Sequence, residues 1–158
     1  MPIPVFRGQT RELTVEDLPA CRLIYRRAAW ESDPAGYSVE QRRVWASFAD
    51  AEGFGEFLIA DGGFVAEWND EIAGFCSYEN NGYIRSLYVN PNFQRCGVGG
   101  VLLTEMLKCL TGASRIWTVA SLFSRGLFAR HGFVLTEVEN KVHGGVSFER
   151  YIMDLSLS

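Results

Sequence analysis

Two kinds of hydrophobic pattern alternate along the chain, one with a period of two residues and one with a period of about 3.6. Segments rich in aromatic and β-branched residues predict strands, which we place at 10–13, 63–68, 72–78, 83–89, 115–120, 133–138 and 146–155. Apolar residues at helical spacing predict helices at 15–30, 39–48, 98–110 and 122–130. The predicted order is therefore β-α-α-β-β-β-α-β-α-β-β.

Short polar segments separate these elements and indicate how neighbours are connected. Asn69-Asp70 and Asn80-Asn81-Gly82 are typical of tight turns between antiparallel strands, and Gly144-Gly145 marks a last turn. The run Ser38-Val39-Glu40-Gln41 is a capping box, which predicts the start of the second helix. Residues 51–55 are interpreted as a loop. Strand runs mixed with helices imply a mixed α/β fold, in which helices cover both faces of a central sheet.

Length and composition favour one globular domain over residues 1–158. Hydrophobic residues make up 47% of the chain and charged residues 22%, which indicates a packed core rather than disorder. The net charge of -4 gives no reason to expect nucleic acid or an anionic membrane as a partner. No apolar run approaches the length of a membrane span, and MPIPVFRGQTREL lacks the features of a signal peptide. A cytoplasmic location is therefore expected.

The four cysteines also favour a reducing compartment. Cys21, Cys76, Cys96 and Cys109 form no CxxC pair and have no partnering histidine cluster, so neither a metal site nor a disulfide framework is expected. Cys96 lies in a glycine-rich turn before a helix, where its thiol could be reactive. The alternative is a side chain that points to solvent.

The glycine-rich turn itself is the strongest functional signal. It follows the strand 83–89, which Pro91 ends, and reads Gln94-Arg95-Cys96-Gly97-Val98-Gly99-Gly100 before the third helix. The first amides of a helix are unpaired and lie at the positive end of its dipole, so this turn predicts an anion site. A P-loop would need Lys and Ser/Thr after Gly100, and a dinucleotide fingerprint would need glycine where Leu102 stands. Neither nucleotide motif fits.

Three segments resemble the GNAT superfamily of N-acetyltransferases. YIRSLYVNPNFQRCGVGG resembles its fourth strand and coenzyme A pyrophosphate loop, and EWNDEIAGFCSY resembles its second and third strands. ASLFSRGLFARHGF resembles the segment after its fifth strand. The spacing of Tyr37, Gln41 and Trp45 is similar to that of a bacterial subgroup of small GNAT proteins. The resemblance covers nearly the whole chain and implies the GNAT fold, with a mixed sheet of six to seven strands.

The resemblance also implies how the donor, acetyl-CoA, is held. In the family, the fourth strand diverges from its parallel neighbour, and backbone groups in the gap bind the pantetheine arm. The matching residues here are Leu87, Tyr88 and Val89, and the N–H of Tyr88 or Val89 would stabilise the oxyanion of the tetrahedral intermediate. Amides of Arg95, Cys96, Gly97, Val98, Gly99 and Gly100 would hold the pyrophosphate, with side-chain support from Gln94 and Arg95.

The catalytic acid departs from the family's pattern. Many GNAT enzymes carry a tyrosine on the helix after the fifth strand, and the matching position beside coenzyme A is Phe128, which cannot donate a proton. Ser121, Ser124 or a water molecule could substitute. A thiol of pKa about 8.5 is already a fair leaving group, so the reaction could tolerate the loss.

The sequence offers several candidates for the general base and for the acceptor pocket. Glu79, at the end of the third strand, is the first candidate for the base, and His131 and His143 are the alternatives. The acceptor pocket of this fold lies between the first two helices and the late hairpin, so its candidates are Trp30, Tyr37, Trp45 and Phe148. Glu31 or Asp33 could bind a cationic acceptor.

The sequence is consistent with three functions. The first is acyl-CoA-dependent transfer of an acetyl group to an amine of a small molecule or peptide, by direct attack in a ternary complex. The second, favoured by Phe128, is a non-catalytic acyl-CoA sensor. The third is an interaction protein without a cofactor. Many proteins of this fold pair through late strands, so a homodimer is also expected.

Overall fold

In a computed structural model, the protein is described over residues 5–31, 36–59 and 61–157. Its strands are β1 Gln9–Glu12, β2 Gly62–Trp68, β3 Glu71–Tyr78, β4 Tyr83–Val89, β5 Trp117–Ala120, β6 Phe133–His143 and β7 Val146–Leu155. Its helices are α1 Leu18–Trp30, α2 Val39–Ser47, α3 Phe54–Ile59, α4 Val98–Cys109 and α5 Arg125–Arg130. Short 3₁₀ turns span Val15–Asp17, Phe48–Asp50 and Pro91–Phe93.

The strands form one seven-stranded sheet in the order β1-β2-β3-β4-β5-β7-β6. Neighbours pair antiparallel, except that β4 and β5 run parallel. One core lies between the sheet and α4, around Leu102, Leu103 and Met106, and a second is formed with α1 and α3, around Ile24 and Phe54. Helices therefore cover both faces, which confirms the predicted mixed α/β fold.

The prediction of a loop over residues 51–55 was wrong, because α3 begins at Phe54. Phe54 and Leu58 stand four residues apart, on one face of α3, and both are fully buried in the second core. Gly53 and Gly55 obscure this short helix in the sequence, and burial of two large side chains outweighs their low propensity. The strand predicted at 133–138 is also longer, since its ladder with β7 continues to His143.

The parallel pair β4–β5 is short, and this shortness shapes the centre of the molecule. Its register contains only Tyr83 opposite Trp117 and Ile84 opposite Thr118. The Thr118 hydroxyl donates to the Ile84 carbonyl at 3.0 Å and closes this end of the pair. Beyond it the two strands separate. A bulge in the β3–β4 ladder makes Arg85 an extra residue at the same level.

The entry to α1 is held by one buried carboxylate. Asp17 is 5% exposed, and its oxygens accept two hydrogen bonds from the Arg11 guanidinium, at 2.8 and 2.7 Å. Asp17 also accepts the N–H of Thr14 at 2.8 Å. The Arg11 guanidinium holds the pKa of Asp17 below its usual value. This carboxylate therefore fixes where α1 starts, beside the β1–β2 edge.

We predict that Asp17→Asn lowers the free energy of unfolding by about 1–3 kcal/mol at neutral pH, because it removes hydrogen bonds to a buried charge. A depressed folded-state pKa stabilises the fold above the unfolded value of about 3.9, and this contribution is lost as pH falls through the folded pKa. Urea unfolding at neutral and acidic pH should therefore show the two proteins converging in acid.

The matched control is Asp50→Asn, whose carboxylate pairs with Arg26 but is 69% exposed. We expect it to change the free energy of unfolding by less than about 0.5 kcal/mol at any pH. Equal effects of the two substitutions would contradict the role given to Asp17.

Candidate active site

The divergence of β4 and β5 opens a cleft of about 1240 Å³, which we call the central cleft. It runs from the glycine-rich turn at the start of α4, between the two strands, to α2 and the β6–β7 hairpin. A cleft of this size at the carboxyl ends of diverging parallel strands is a typical place for a ligand.

The floor of the central cleft offers unpaired backbone groups. The N–H of Asn90 donates to a carbonyl of β3 at 2.8 Å, and Tyr88 lies two residues earlier in the same ladder. Backbone groups alternate in direction along an antiparallel strand, so Tyr88 also faces β3, whereas Leu87 and Val89 direct theirs toward β5. Pairing with β5 ends at Ile84. Of the two amides that the sequence left open for the oxyanion, only that of Val89 is directed at the gap.

One end of the cleft is the glycine-rich turn. Arg95 and Gly97 have positive φ angles of 62° and 90°, which turn the chain sharply into α4. The first helical hydrogen bond runs from Val101 N–H to the Gly97 carbonyl at 3.1 Å, so the amides of the three residues between them have no helical acceptor. A Cβ at Gly97 would meet nothing within 4 Å, whereas one at Gly99 would lie 2.8 Å from Leu127. The turn is therefore an open cradle of N–H donors.

Most of the residues predicted to bind coenzyme A line this cleft. They are Leu87, Tyr88, Val89, Gln94, Arg95, Gly97, Val98, Gly99, Gly100 and Phe128. The side chain of Cys96 does not line it and does not point to solvent. Cys96 is 6% exposed in the core, and its thiol donates to the Phe93 carbonyl at 2.9 Å. The turn directs this side chain inward, which removes it as a reactive thiol.

The family model of the acetyltransferase (GNAT) domain matches residues 33–155 of this sequence. The chain belongs to the GNAT family. It is thus an N-acetyltransferase of the GNAT type, as the glycine-rich turn and its flanking strands predict. GNAT acetyltransferases act on amine acceptors.

Relatives and solved structures agree with this assignment. The N-acetyltransferase YafP of Escherichia coli (strain K12) is 28% identical over 145 residues, which are 92% of this chain and 93% of that protein. A GCN5-related N-acetyltransferase from Rhodopseudomonas palustris matches with a TM-score of 0.89 and 28% identity over 99% of both chains. The PaiA N-acetyltransferase of Thermoplasma acidophilum, in complex with coenzyme A, shares the fold with a TM-score of 0.73 and 19% identity, over 96% and 100% of the two chains.

The other end of this GNAT cleft is an aromatic cluster. Trp45 Nε1 donates to the Tyr88 hydroxyl at 3.3 Å, and the Tyr37 ring lies edge-on to Trp45 at 5.2 Å. Tyr25 lies 4.6 Å from the Tyr88 ring, and burial raises the pKa of both phenols. Sequence reasoning assigned Tyr25 to the core face of α1, because helical spacing does not show that this face meets β4 at the cleft. Phe148 also lines this end, as predicted for the acceptor pocket.

Trp30 and Glu79 also lie outside the central cleft. Trp30 is 47% exposed and lies beneath the Arg42 guanidinium, 5.7 Å from it, so α1 turns it away from the proposed acceptor pocket. Glu79 lines a neighbouring cavity of about 510 Å³ instead. Its carboxylate accepts a hydrogen bond from Arg85 Nε at 2.9 Å, so its negative charge is paired with the guanidinium. Arg85 lines both cavities, so Glu79 lies one side chain away from the central cleft.

The two histidines differ in position. His131 Nδ1 lies 2.9 Å from the Leu127 carbonyl at the end of α5, outside the cleft, which is the position of a helix cap. His143 lines the cleft at the end of β6, with Phe148 at 6.1 Å. Burial, together with the positive charges of Arg150 and Lys141, lowers the pKa of His143. It is therefore neutral, and able to accept a proton, at physiological pH.

The serines after β5 bond chiefly to each other. The Ser121 N–H donates to the Ser124 hydroxyl at 2.9 Å, and the Ser124 N–H donates to the Ser121 hydroxyl at 3.1 Å. Both serines line the cleft. Phe128 is 2% exposed, with its ring 5.2 Å from Phe133, so it contributes an apolar wall.

Of the two acidic residues considered for binding a cationic acceptor, the structure describes Glu31. Glu31 lines the cleft but accepts a hydrogen bond from Arg27 Nε at 2.6 Å, and Asp33 lies outside the described residues. Over 5–31, 36–59 and 61–157, no three His, Cys, Asp or Glu side chains converge as a metal site would require. Within the same ranges, no helix has the length and apolar character needed to cross a membrane.

Proposed function

We propose that the protein transfers an acetyl group from acetyl-CoA to a primary amine of a small molecule or peptide, by direct attack in a ternary complex. The observation that carries this proposal is that two sets of open N–H donors face one cleft, that of Val89 on β4 and those in the first turn of α4. Two solved GNAT structures with this fold, the PaiA enzyme and the YncA putative acetyltransferase of Salmonella typhimurium, contain coenzyme A and acetyl-CoA.

The donor's groups fit these two sets of amides. The glycine-rich turn presents amides to an anion at the positive end of the α4 dipole, which suits a pyrophosphate. The gap beside Leu87 and Val89 presents strand-like partners to the amides of a pantetheine arm. The Val89 N–H is the donor that would stabilise negative charge on the thioester oxygen during attack.

The acceptor would enter from the aromatic end, between α2 and the β6–β7 hairpin. Tyr37, Trp45 and Phe148 offer apolar contact there, and the β6–β7 hairpin brings His143 to the rim together with Glu149 and Arg150. An amine must lose a proton in the course of attack, and a neutral imidazole can take it directly or through water. We therefore assign the general base to His143 rather than to Glu79, which is paired with Arg85.

A sensor that binds acetyl-CoA without turnover is the second candidate, because Phe128 removes the family's usual acid. Incubation with acetyl-CoA and a panel of amines, followed by thiol release, separates the two. Thiol release that depends on one class of amine supports the transferase. Micromolar binding of acetyl-CoA with no release across a broad panel supports the sensor.

Gly97 provides a sharp test of donor binding. We predict that Gly97→Asp weakens coenzyme A binding at least about tenfold relative to Gly97→Asn, because a carboxylate would face the pyrophosphate. Asn and Asp have nearly equal size, both tolerate the positive φ of 90°, and a Cβ at this position meets no neighbour. Calorimetric titration with coenzyme A measures the difference.

The pair also controls for folding, since an acidic residue at a helix N-terminus stabilises the helix. The melting temperature of Gly97→Asp should therefore be no lower than that of Gly97→Asn. Equal affinities for coenzyme A would place the pyrophosphate elsewhere.

The assignment of His143 predicts a pH profile. Since the pKa of His143 is lowered, the acidic limb of kcat should lie below the ordinary histidine value of about 6.5, with activity rising as the imidazole loses its proton. His143→Gln should remove this limb and lower kcat about 100-fold or more. His131→Gln is the control for loss of an imidazole, because His131 does not line the cleft, and it should keep the acidic limb. Its ring lies close to Gly100, so an effect of this substitution would be expected on the KM for acetyl-CoA and not on the limb. A limb that survives in His143→Gln would rule out this base.

A further inference from the structure

The sulfur that leaves in the proposed reaction has no proton donor at the position the family uses. Phe128 supplies only a ring there. Ser121 and Ser124 already share their hydroxyl groups, 3.1 Å apart. The Tyr88 hydroxyl accepts from Trp45 and lies on the opposite strand. The phenol of Tyr37, from the segment before α2, lies near the end of β5.

Tyr37 is held against the β5–α5 loop by a backbone hydrogen bond. The Leu122 N–H donates to the Tyr37 hydroxyl at 2.9 Å. Leu122 is the second residue after the end of β5, so this phenol lies at the wide end of the gap between β4 and β5. Its side chain is 6% exposed and lines the central cleft. The hydroxyl therefore lies beside the β5–α5 loop, at the edge of the central cleft.

The surroundings of Tyr37 hold its ring in one orientation. Its ring centroid lies 5.2 Å from that of Trp45, 5.3 Å from that of Phe123 and 6.4 Å from that of Phe148. Edge-on aromatic contacts of this kind restrict the ring. A Cβ at Gly36 would lie 2.7 Å from both Leu122 and Phe123, so the preceding residue also fits closely against the loop.

The direction of the Leu122 hydrogen bond decides what the phenol can do. A backbone N–H only donates, so the Tyr37 oxygen accepts and its own proton is not used in that bond. Burial raises the pKa of Tyr37, while the Leu122 N–H and the Ser121 hydroxyl act in the opposite direction. The phenol therefore carries its proton at neutral pH, and the Leu122 N–H already donates to the oxygen that would become negative.

We propose that Tyr37 donates its phenolic proton to the departing sulfur of coenzyme A, in place of the residue that Phe128 replaces. This inference rests on the proposed acetyl transfer. The amine nitrogen forms a bond to the acetyl carbon, and its proton leaves with the base. The carbon–sulfur bond then breaks, and its electron pair on sulfur takes the Tyr37 proton. The Leu122 N–H holds the resulting phenolate until water returns a proton.

Tyr37→Phe tests the proposal, because it removes the hydroxyl and keeps the ring among Trp45, Phe123 and Phe148. We expect kcat to fall at least about tenfold, with KM for acetyl-CoA unchanged, since the interaction forms only as the sulfur departs. Phe128→Tyr in the Tyr37→Phe background should recover part of kcat, because it returns a phenol to the neighbouring wall. Tyr78→Phe removes a hydroxyl away from the cleft and should leave kcat unchanged. An unchanged kcat in Tyr37→Phe would overturn the proposal.

A second measurement does not depend on turnover. At about pH 9, much of free coenzyme A is thiolate, and a phenol beside the sulfur should make wild-type protein bind coenzyme A about tenfold more tightly than desulfo-coenzyme A. Tyr37→Phe should bind both equally, with the affinity for desulfo-coenzyme A retained. Equal binding by the wild type would overturn the contact of Tyr37 with sulfur. Lack of turnover with every amine would instead count against acetyl transfer, while this difference would still decide the contact.

Discussion

The backbone of a strand must find partners for its N–H and C=O groups, and β4 loses one set of them after Ile84. On its other side the ladder with β3 continues, so β4 stays extended while its groups toward β5 remain open. The closing bond from Thr118 to Ile84 sets where the separation begins. The whole site depends on β4, whose N–H and C=O groups are hydrogen-bonded on the β3 side and open on the β5 side. A ligand that pairs with the open groups is bound by the sheet itself.

The two faces of the sheet then serve different ends of the cleft. On one face, α4 packs through Val98, Leu102 and Met106, all nearly fully buried, and so directs its N-terminus at the opening. On the other, α1, α2 and α3 supply an aromatic cluster that approaches the same gap. The anion-binding turn and the apolar pocket are therefore held by separate cores. Changes to one end of the cleft need not disturb the other.

The groups proposed for proton transfer come from the elements that border the gap. The loop between β5 and α5 contacts the segment before α2 through Leu122 and Tyr37, and the β6–β7 hairpin brings His143 to the rim. Phe128 closes the wall between them as an apolar surface. A phenol from the segment before α2 can thus replace the one that the family usually carries on α5. The chemistry depends on where the oxygen lies and not on which helix carries it.

The sequence by itself determined the order of the described strands, the helices α1, α2, α4 and α5, and the turn into α4. These follow from local rules, namely strand and helix patterns and the glycines before α4, which act over a few neighbouring residues. The coenzyme A site follows from the resemblance to the GNAT family, and its residues stay a prediction. The same resemblance named Tyr37 and Trp45 as candidates for the acceptor pocket, and both line the central cleft. Only the tertiary structure decided that Cys96 points inward, that Glu79 pairs with Arg85 and that α3 forms at Phe54. Each of these depends on residues distant in the chain, since burial and ion pairing are properties of the packed fold.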